Sequence, residues 1–167
     1  MAKVVIFVED TYEDQEVWYP YLRLKEAGHT PMIVGKQKRE YMSKHRYPIK
    51  AGNVFRDISL KSYAGIIIPG GYAPDKLRQY PEALKLVRQF DEKGKLIAAI
   101  CHAAWVLVSA GVVKGRKMTC YRAIKDDVIN AGAKYVDAKV VVDKNMITSR
   151  IPPDLPAFMR EVLAFLQ

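Results

Sequence analysis

Three short, unbroken apolar runs set the strongest limit on what this chain can fold into. Val4–Val8, Ala64–Ile68 and Leu96–Ile100 show no polar alternation, which is the pattern of strands covered on both faces. Segments with helical spacing separate them. Val17, Tyr21, Leu24 and Ala27 recur at that spacing between Glu16 and Ala27, and Gly28 stands where a helix stop belongs. Further helices are expected over Pro81–Glu92 before Gly94, Ala103–Ala110 before Gly111, and Asp126–Ala131 before Gly132. Pro31–Val34 reads as a short strand. Val140–Val142 and Met146–Thr148 flank the turn signal Asp143-Lys144-Asn145 and read as a hairpin. Asp154 is expected to cap a last amphipathic helix that runs to about Leu166. Residues Gly35 to Phe55 are polar and read as hairpins or irregular excursions.

Strands alternating with helices imply an α/β fold: a doubly wound, mostly parallel sheet with helices on both faces, a flavodoxin-like three-layer sandwich. At 167 residues, and with no linker, repeat or low-complexity stretch, residues 1–167 read as one domain. The run at Val4 is too short for a signal-peptide core, and no apolar stretch approaches a membrane span, so the expectation is a cytoplasmic protein without a membrane partner. Cys101 and Cys120 form no metal-ligand spacing and read as two thiols of a reducing compartment, with no metal and no cofactor expected. The formal charge of +9 is spread along the chain; it reads as a lysine-rich solvated surface rather than a nucleic-acid footprint.

In such a fold, ligands bind at the carboxyl ends of the strands. Three of those ends are chemically distinctive: Glu9–Asp14, Pro69–Gly71 and Cys101-His102. The first carries acids where a nucleotide site would carry glycines, and five of the eight residues from Glu9 to Glu16 would repel phosphate. A response-regulator reading needs an aspartate at the end of the third core strand, where Pro69-Gly70-Gly71 stands instead.

Cys101 sits between Ala98-Ala99-Ile100 and His102-Ala103-Ala104, small residues that permit a sharp turn from strand into helix. That is the logic of a nucleophile elbow, and a helix N-terminus is expected to favour the thiolate. The competing reading is a buried cysteine acting as a small hydrophobe. Adjacent helical side chains point apart, which argues against a Cys101–His102 pair within one subunit. Glu13 offers a carboxyl that, beside a thiolate, would hold its proton and donate to sulfur; alone it reads as a helix N-terminal acid. Gly70 and Gly71 offer backbone N–H groups to a developing oxyanion, or simply end a strand.

Together these residues resemble the PfpI/ThiJ family, a branch of the DJ superfamily with a class I glutamine amidotransferase-like fold. The resemblance runs through Tyr12-Glu13-Asp14 with Glu16 and Tyr19-Pro20; Pro69-Gly70-Gly71 with Ala73-Pro74; Ile100-Cys101-His102; Ser109–Val112; Lys114–Lys117; Ile124–Asp127; Ile129–Gly132; Val140–Asp143; and Ser149-Arg150. It implies Cys101 as nucleophile, Glu13 as its hydrogen-bonding carboxyl, His102 as the partner histidine, and Gly70, Gly71, Ala103 and Tyr121 around the oxyanion and substrate. It implies that Asp75, where family members carry glutamate, reaches the histidine of a neighbouring subunit, hence a homo-oligomer of dimer size or higher with the site near the interface. Ala103, Trp105 and Arg46 replace a glycine, a smaller or polar residue and a loop glycine of the family pattern. The implied function is a cysteine-nucleophile hydrolase acting on electrophilic carbonyls, deglycase or glyoxalase-like, or an intracellular peptidase, in stress protection. Its substrate would be a small carbonyl compound or a peptide. The alternative is a redox-sensing or chaperone-like stress protein that uses the same cysteine without turnover.

Overall fold

The computed structural model describes residues 1–167. In chain order the elements are β1 (Lys3–Phe7), α1 (Asp14–Glu26), β2 (Thr30–Gly35), β3 (Glu40–Met42), β4 (Pro48–Lys50), β5 (Asn53–Val54), β6 (Gly65–Ile68), α2 (Ala73–Leu77), α3 (Pro81–Glu92), β7 (Leu96–Ile100), α4 (Ala104–Ala110), β8 (Lys117–Met118), α5 (Lys125–Asn130), β9 (Lys134–Tyr135), β10 (Val140–Asp143), β11 (Met146–Ser149) and α6 (Leu155–Phe165). The main sheet has the order β10-β11-β7-β6-β1-β2-β5. Its pairs are parallel except the β10–β11 hairpin at one edge. This is the expected α/β sandwich, with helices around a mostly parallel sheet. No helix is long and apolar enough to cross a membrane.

The apolar runs behave as their composition demands. Val4–Val8, Ile66–Ile68 and Leu96–Ile100 are buried, with β6 and β7 in register from Gly65–Leu96 to Ile68–Ala99. Burying such side chains contributes roughly 1.5–3 kcal/mol each. From β1 the chain first steps sideways to β2 and later returns on the other side as β6. The carboxyl ends of β1, β6 and β7 therefore open into one crevice, the place where ligands bind in open α/β sheets.

The segment from Gly35 to Phe55 is more ordered than its polarity suggests. It contains a β3–β4 hairpin, and β5 then joins the main sheet beside β2. Asp154 does not cap α6 through its side chain; its carboxylate instead accepts from Arg150 Nε at 2.9 Å and Nη2 at 3.2 Å. The charge of a guanidinium wins over a lone backbone N–H.

Close strand packing at Gly65 can be tested. A Cβ there would lie 2.9 Å from the Leu96 carbonyl oxygen and against the Leu96 side chain. Gly65→Ala is expected to lower stability by about 1–3 kcal/mol. Urea unfolding should show a lower midpoint at unchanged slope; an unchanged midpoint would mean the β6–β7 contact is looser than described.

Candidate active site

The site begins with a backbone constraint. Cys101 follows β7 directly and has φ +62°, a left-handed conformation that a residue with a Cβ adopts only at a cost. A single 3-10 turn, Cys101–Ala103, leads into α4. The turn changes where the side chains point. Cys101 Sγ and His102 Nδ1 lie 3.3 Å apart within one subunit. The expectation that neighbours diverge holds for two residues of a regular helix, and Cys101 is not in one.

Gly70 and Gly71 close the opposite wall. Gly71 has φ +72°, and a Cβ at Gly70 would lie 2.6 Å from Glu16 Oε2, 2.8 Å from Cys101 Cβ and 3.2 Å from its Sγ. Only a residue without a side chain allows the carboxyl and the sulfur to converge there. The backbone N–H groups of His102 and Gly71 both favour the thiolate. Ala103, by contrast, is fully buried and lines no part of the pocket; the amide that serves the sulfur at the start of the helix is that of His102.

The carboxyl at the sulfur is Glu16, not Glu13. Glu16 is fully buried in the first turn of α1, and its Oε2 accepts from the Gly70 N–H at 2.6 Å while its Oε1 has no partner. Burial pushes its pKa up to about 8, against the pull of the Gly70 N–H. Glu13 lines the same pocket but forms an ion pair with Lys44, which is carried by the β3–β4 hairpin. The reason is helical phase. Glu16 shares a buried stripe with Pro20 and Leu24, whereas Glu13 stands at the helix N-cap. Counting back by fours from Leu24 would have found Glu16. Lys44 carried no such signal, because a turn between short strands has no periodicity to read.

Burial, and then the Glu16 charge, push the Cys101 thiol well above its ordinary range. The helix N-terminus does not reverse this. Burial, with the nearby Lys44 charge, lowers the His102 pKa below its usual value. Near neutral pH burial therefore favours the uncharged form of all three groups. Tyr121 stacks on His102 with ring centroids 4.7 Å apart. Tyr72, Ile151 and Pro152 complete a pocket of about 360 Å³. Trp105 does not line it. Asp75 is exposed on α2 and away from the pocket of its own subunit.

A mostly parallel α/β sheet with a strained cysteine elbow, a histidine at the sulfur and a Gly-Gly turn across from it defines a cysteine-centred site at a strand-to-helix turn. Residues 2–165 match the family model described as DJ-1/PfpI family, and the chain belongs to that family. It is 41% identical over 165 residues to Deglycase PfpI of Pyrococcus furiosus, covering 99% of each chain. It is 36% identical over 167 residues to Protein/nucleic acid deglycase 2 of Escherichia coli, covering 98% of this chain and 97% of that one. Among solved structures, a two-domain protein of Anabaena variabilis with DJ-1/ThiJ/PfpI-like and ferritin-like domains superposes with a TM-score of 0.97 at 38% identity. The match covers 99% of this chain and 48% of that one. These similarities support a deglycase or protease-like hydrolase.

The buried Glu16 predicts a pH dependence of stability. Its folded pKa of about 8 lies above the ordinary glutamate value of 4.5. The folded state thus holds a proton that the unfolded chain gives up, so this contribution is full below about pH 4.5 and is lost as pH rises toward 8. Glu16→Gln keeps a neutral side chain throughout. Its stability relative to the parent should rise across that window, by at most about 1.4 kcal/mol per pH unit. Urea unfolding from pH 5 to pH 8 checks this, and a difference that stays flat would place Glu16 in contact with water.

Proposed function

We propose that this protein is a cysteine-nucleophile enzyme of its family that acts on small electrophilic carbonyl compounds, in the manner of a deglycase or glyoxalase. The observation that carries the reading is the 3.3 Å approach of Cys101 Sγ to His102 Nδ1, at a strained residue that opens into a pocket. The sulfur proton passes to Nδ1, the C–S bond forms, and the carbonyl π pair moves onto oxygen. Gly71 and His102 supply backbone N–H groups near that oxygen. Glu16 shares its proton with the sulfur, Tyr121 holds the imidazole face, and the Glu13–Lys44 pair frames the mouth. Hydrolysis or rearrangement of the adduct then releases product and restores the thiol.

A pocket of about 360 Å³ fits a small adduct better than a folded protein chain. Deglycase names among the relatives support the same choice. Asp75 would serve His102 from a second copy of the chain. Its exposure leaves it free to do so, and a separate apolar groove of about 510 Å³ between α1 and the start of α6, lined by Trp18, Tyr19, Leu22 and Leu155, supports self-association. The non-turnover reading, in which Cys101 is oxidised to a sulfinate as a sensor, uses the same buried carboxyl.

Turnover of methylglyoxal and of a fluorogenic peptide, with Cys101→Ala in parallel, tests the proposal. The parent should consume methylglyoxal, and Cys101→Ala should lose at least about a hundredfold. Iodoacetamide should reach Cys101 before Cys120, because Cys101 is 9% exposed on the pocket wall while Cys120 is 1% exposed and does not line that pocket. A parent that turns over neither compound, yet gains two oxygens at Cys101 under mild peroxide, would establish the sensor instead.

The inter-subunit role is tested separately. Asp75→Ala should lower turnover and leave Cys101 alkylation intact, and light scattering should give a dimer or larger. A stable monomer with full activity would remove Asp75 from the site.

A further inference from the structure

His102 is held by two aromatic rings of its own subunit. Besides the stacked Tyr121, Trp105 meets it edge-on, with centroids 5.3 Å apart and planes at 65°. Residues 102 and 105 stand three apart on the rising helix, a spacing that brings side chains together. Trp105 is itself fixed from two other elements. Its Nε1 donates to Asp127 Oδ2 of α5 at 2.7 Å. The Arg78 guanidinium, just past α2, lies 5.4 Å from its ring centroid, and Arg78 Nε donates to Ser109 Oγ at 2.9 Å. Two other elements thus converge on one indole, which does not line the pocket but meets the imidazole that does.

We propose that Trp105, anchored by Asp127, is a positioning residue that keeps Nδ1 of His102 turned toward the Cys101 sulfur. The ring torsion of a histidine is broad, so an imidazole beside an open pocket needs its faces and edges blocked to hold one orientation. Rotation would carry Nδ1 away from the sulfur and break the proton path. The groups that face His102 are the Cys101 thiol, Lys44 on the hairpin and the Tyr121 phenol, while Asp127 and Arg78, of opposite charge, stand behind Trp105. The clamp is built within one subunit and acts whether or not a second copy contributes Asp75. It rests on the reading that His102 takes the Cys101 proton.

The test compares Asp127→Ala, Asp127→Asn and Trp105→Phe in the full chain. Asparagine keeps an oxygen that can accept from the indole N–H, and alanine does not. Asp127→Ala should lower kcat on methylglyoxal about three- to tenfold with KM within about twofold, since a small misplacement costs rate rather than binding. Asp127→Asn should recover most of that loss. Trp105→Phe keeps the edge contact but not the anchor, so it should resemble Asp127→Ala, and the double variant should be no worse than either single one.

A second readout needs no turnover. The chain has three histidines, so NMR titration can follow His102, assigned with His102→Ala. In Asp127→Ala its pKa should rise toward the ordinary histidine value as the loosened ring meets water. An unmoved His102 titration in Asp127→Ala, or an Asp127→Asn as impaired as Asp127→Ala, would overturn the clamp. An inactive parent whose His102 titration still responds to Asp127→Ala would sustain the clamp and refute the enzymatic reading.

Discussion

The left-handed backbone of Cys101 is the constraint on which the site depends. Such a conformation costs a residue with a Cβ roughly 1–2 kcal/mol, and it persists only where its surroundings over-determine it. Here β7 enters the elbow fully buried and paired on both sides, and the Cys101 carbonyl accepts from the Tyr121 N–H at 3.2 Å. That one hydrogen bond joins the elbow to the segment that carries the ring stacked on His102. With the cysteine held in this way, its side chain cannot fold back into the core. It faces the gap left by Gly70, and its neighbour's Nδ1 swings to its sulfur. The 3.3 Å approach thus starts from backbone geometry.

Burial then sets the protonation. The sulfur and Glu16 are both pushed toward their neutral forms, and so is His102, from the opposite side of the scale. Charge is excluded at the reacting centre, while Glu13 and Lys44, paired with each other, occupy the pocket wall. His102 Nδ1 lies 3.3 Å from the sulfur, and the backbone N–H groups of His102 and Gly71 pull toward the thiolate against that burial.

What could be read from the sequence followed from periodicity and side-chain size. The unbroken apolar runs announced strands buried on both faces, and the small residues around Cys101 announced the elbow. The glycines after Pro69 marked the turn whose N–H serves the sulfur. What escaped depended on three-dimensional phase. Glu13 and Glu16 differ by three residues, and α1 turns Glu16 onto the buried face it shares with Leu24 while Glu13 stands at the N-cap. Ala103, expected beside the oxyanion and substrate, is fully buried, and the amide that reaches the sulfur is that of His102 one residue earlier. The loop departure at Arg46 is explained in hindsight: its φ of +66° is a conformation that glycine adopts without strain.

The excursion after β2 shows why a polar, irregular-looking segment can be as constrained as a core strand. It delivers Lys44 to Glu13, and a few buried side chains, Tyr41, Ile49 and Ala51, tie it to the core. Tyr41 supplies an anchor by packing its ring against Gly35, where a Cβ would come within 2.6 Å of that ring. Arg39 binds Asp10 at 2.7 Å, and Ser43 donates to Asp14. Tyr12 is the link between this hairpin and the chemistry. Its backbone bridges Ser43 on one side and Gly71 on the other, its carbonyl accepts from the Lys44 N–H at 2.9 Å, and its hydroxyl donates to the Tyr47 carbonyl at 2.6 Å. The acidic loop after β1 therefore does more than place carboxyls. By clamping the hairpin and the Gly-Gly turn to the same residue, it fixes the Lys44 cation and the Gly71 N–H relative to each other through one fully buried tyrosine.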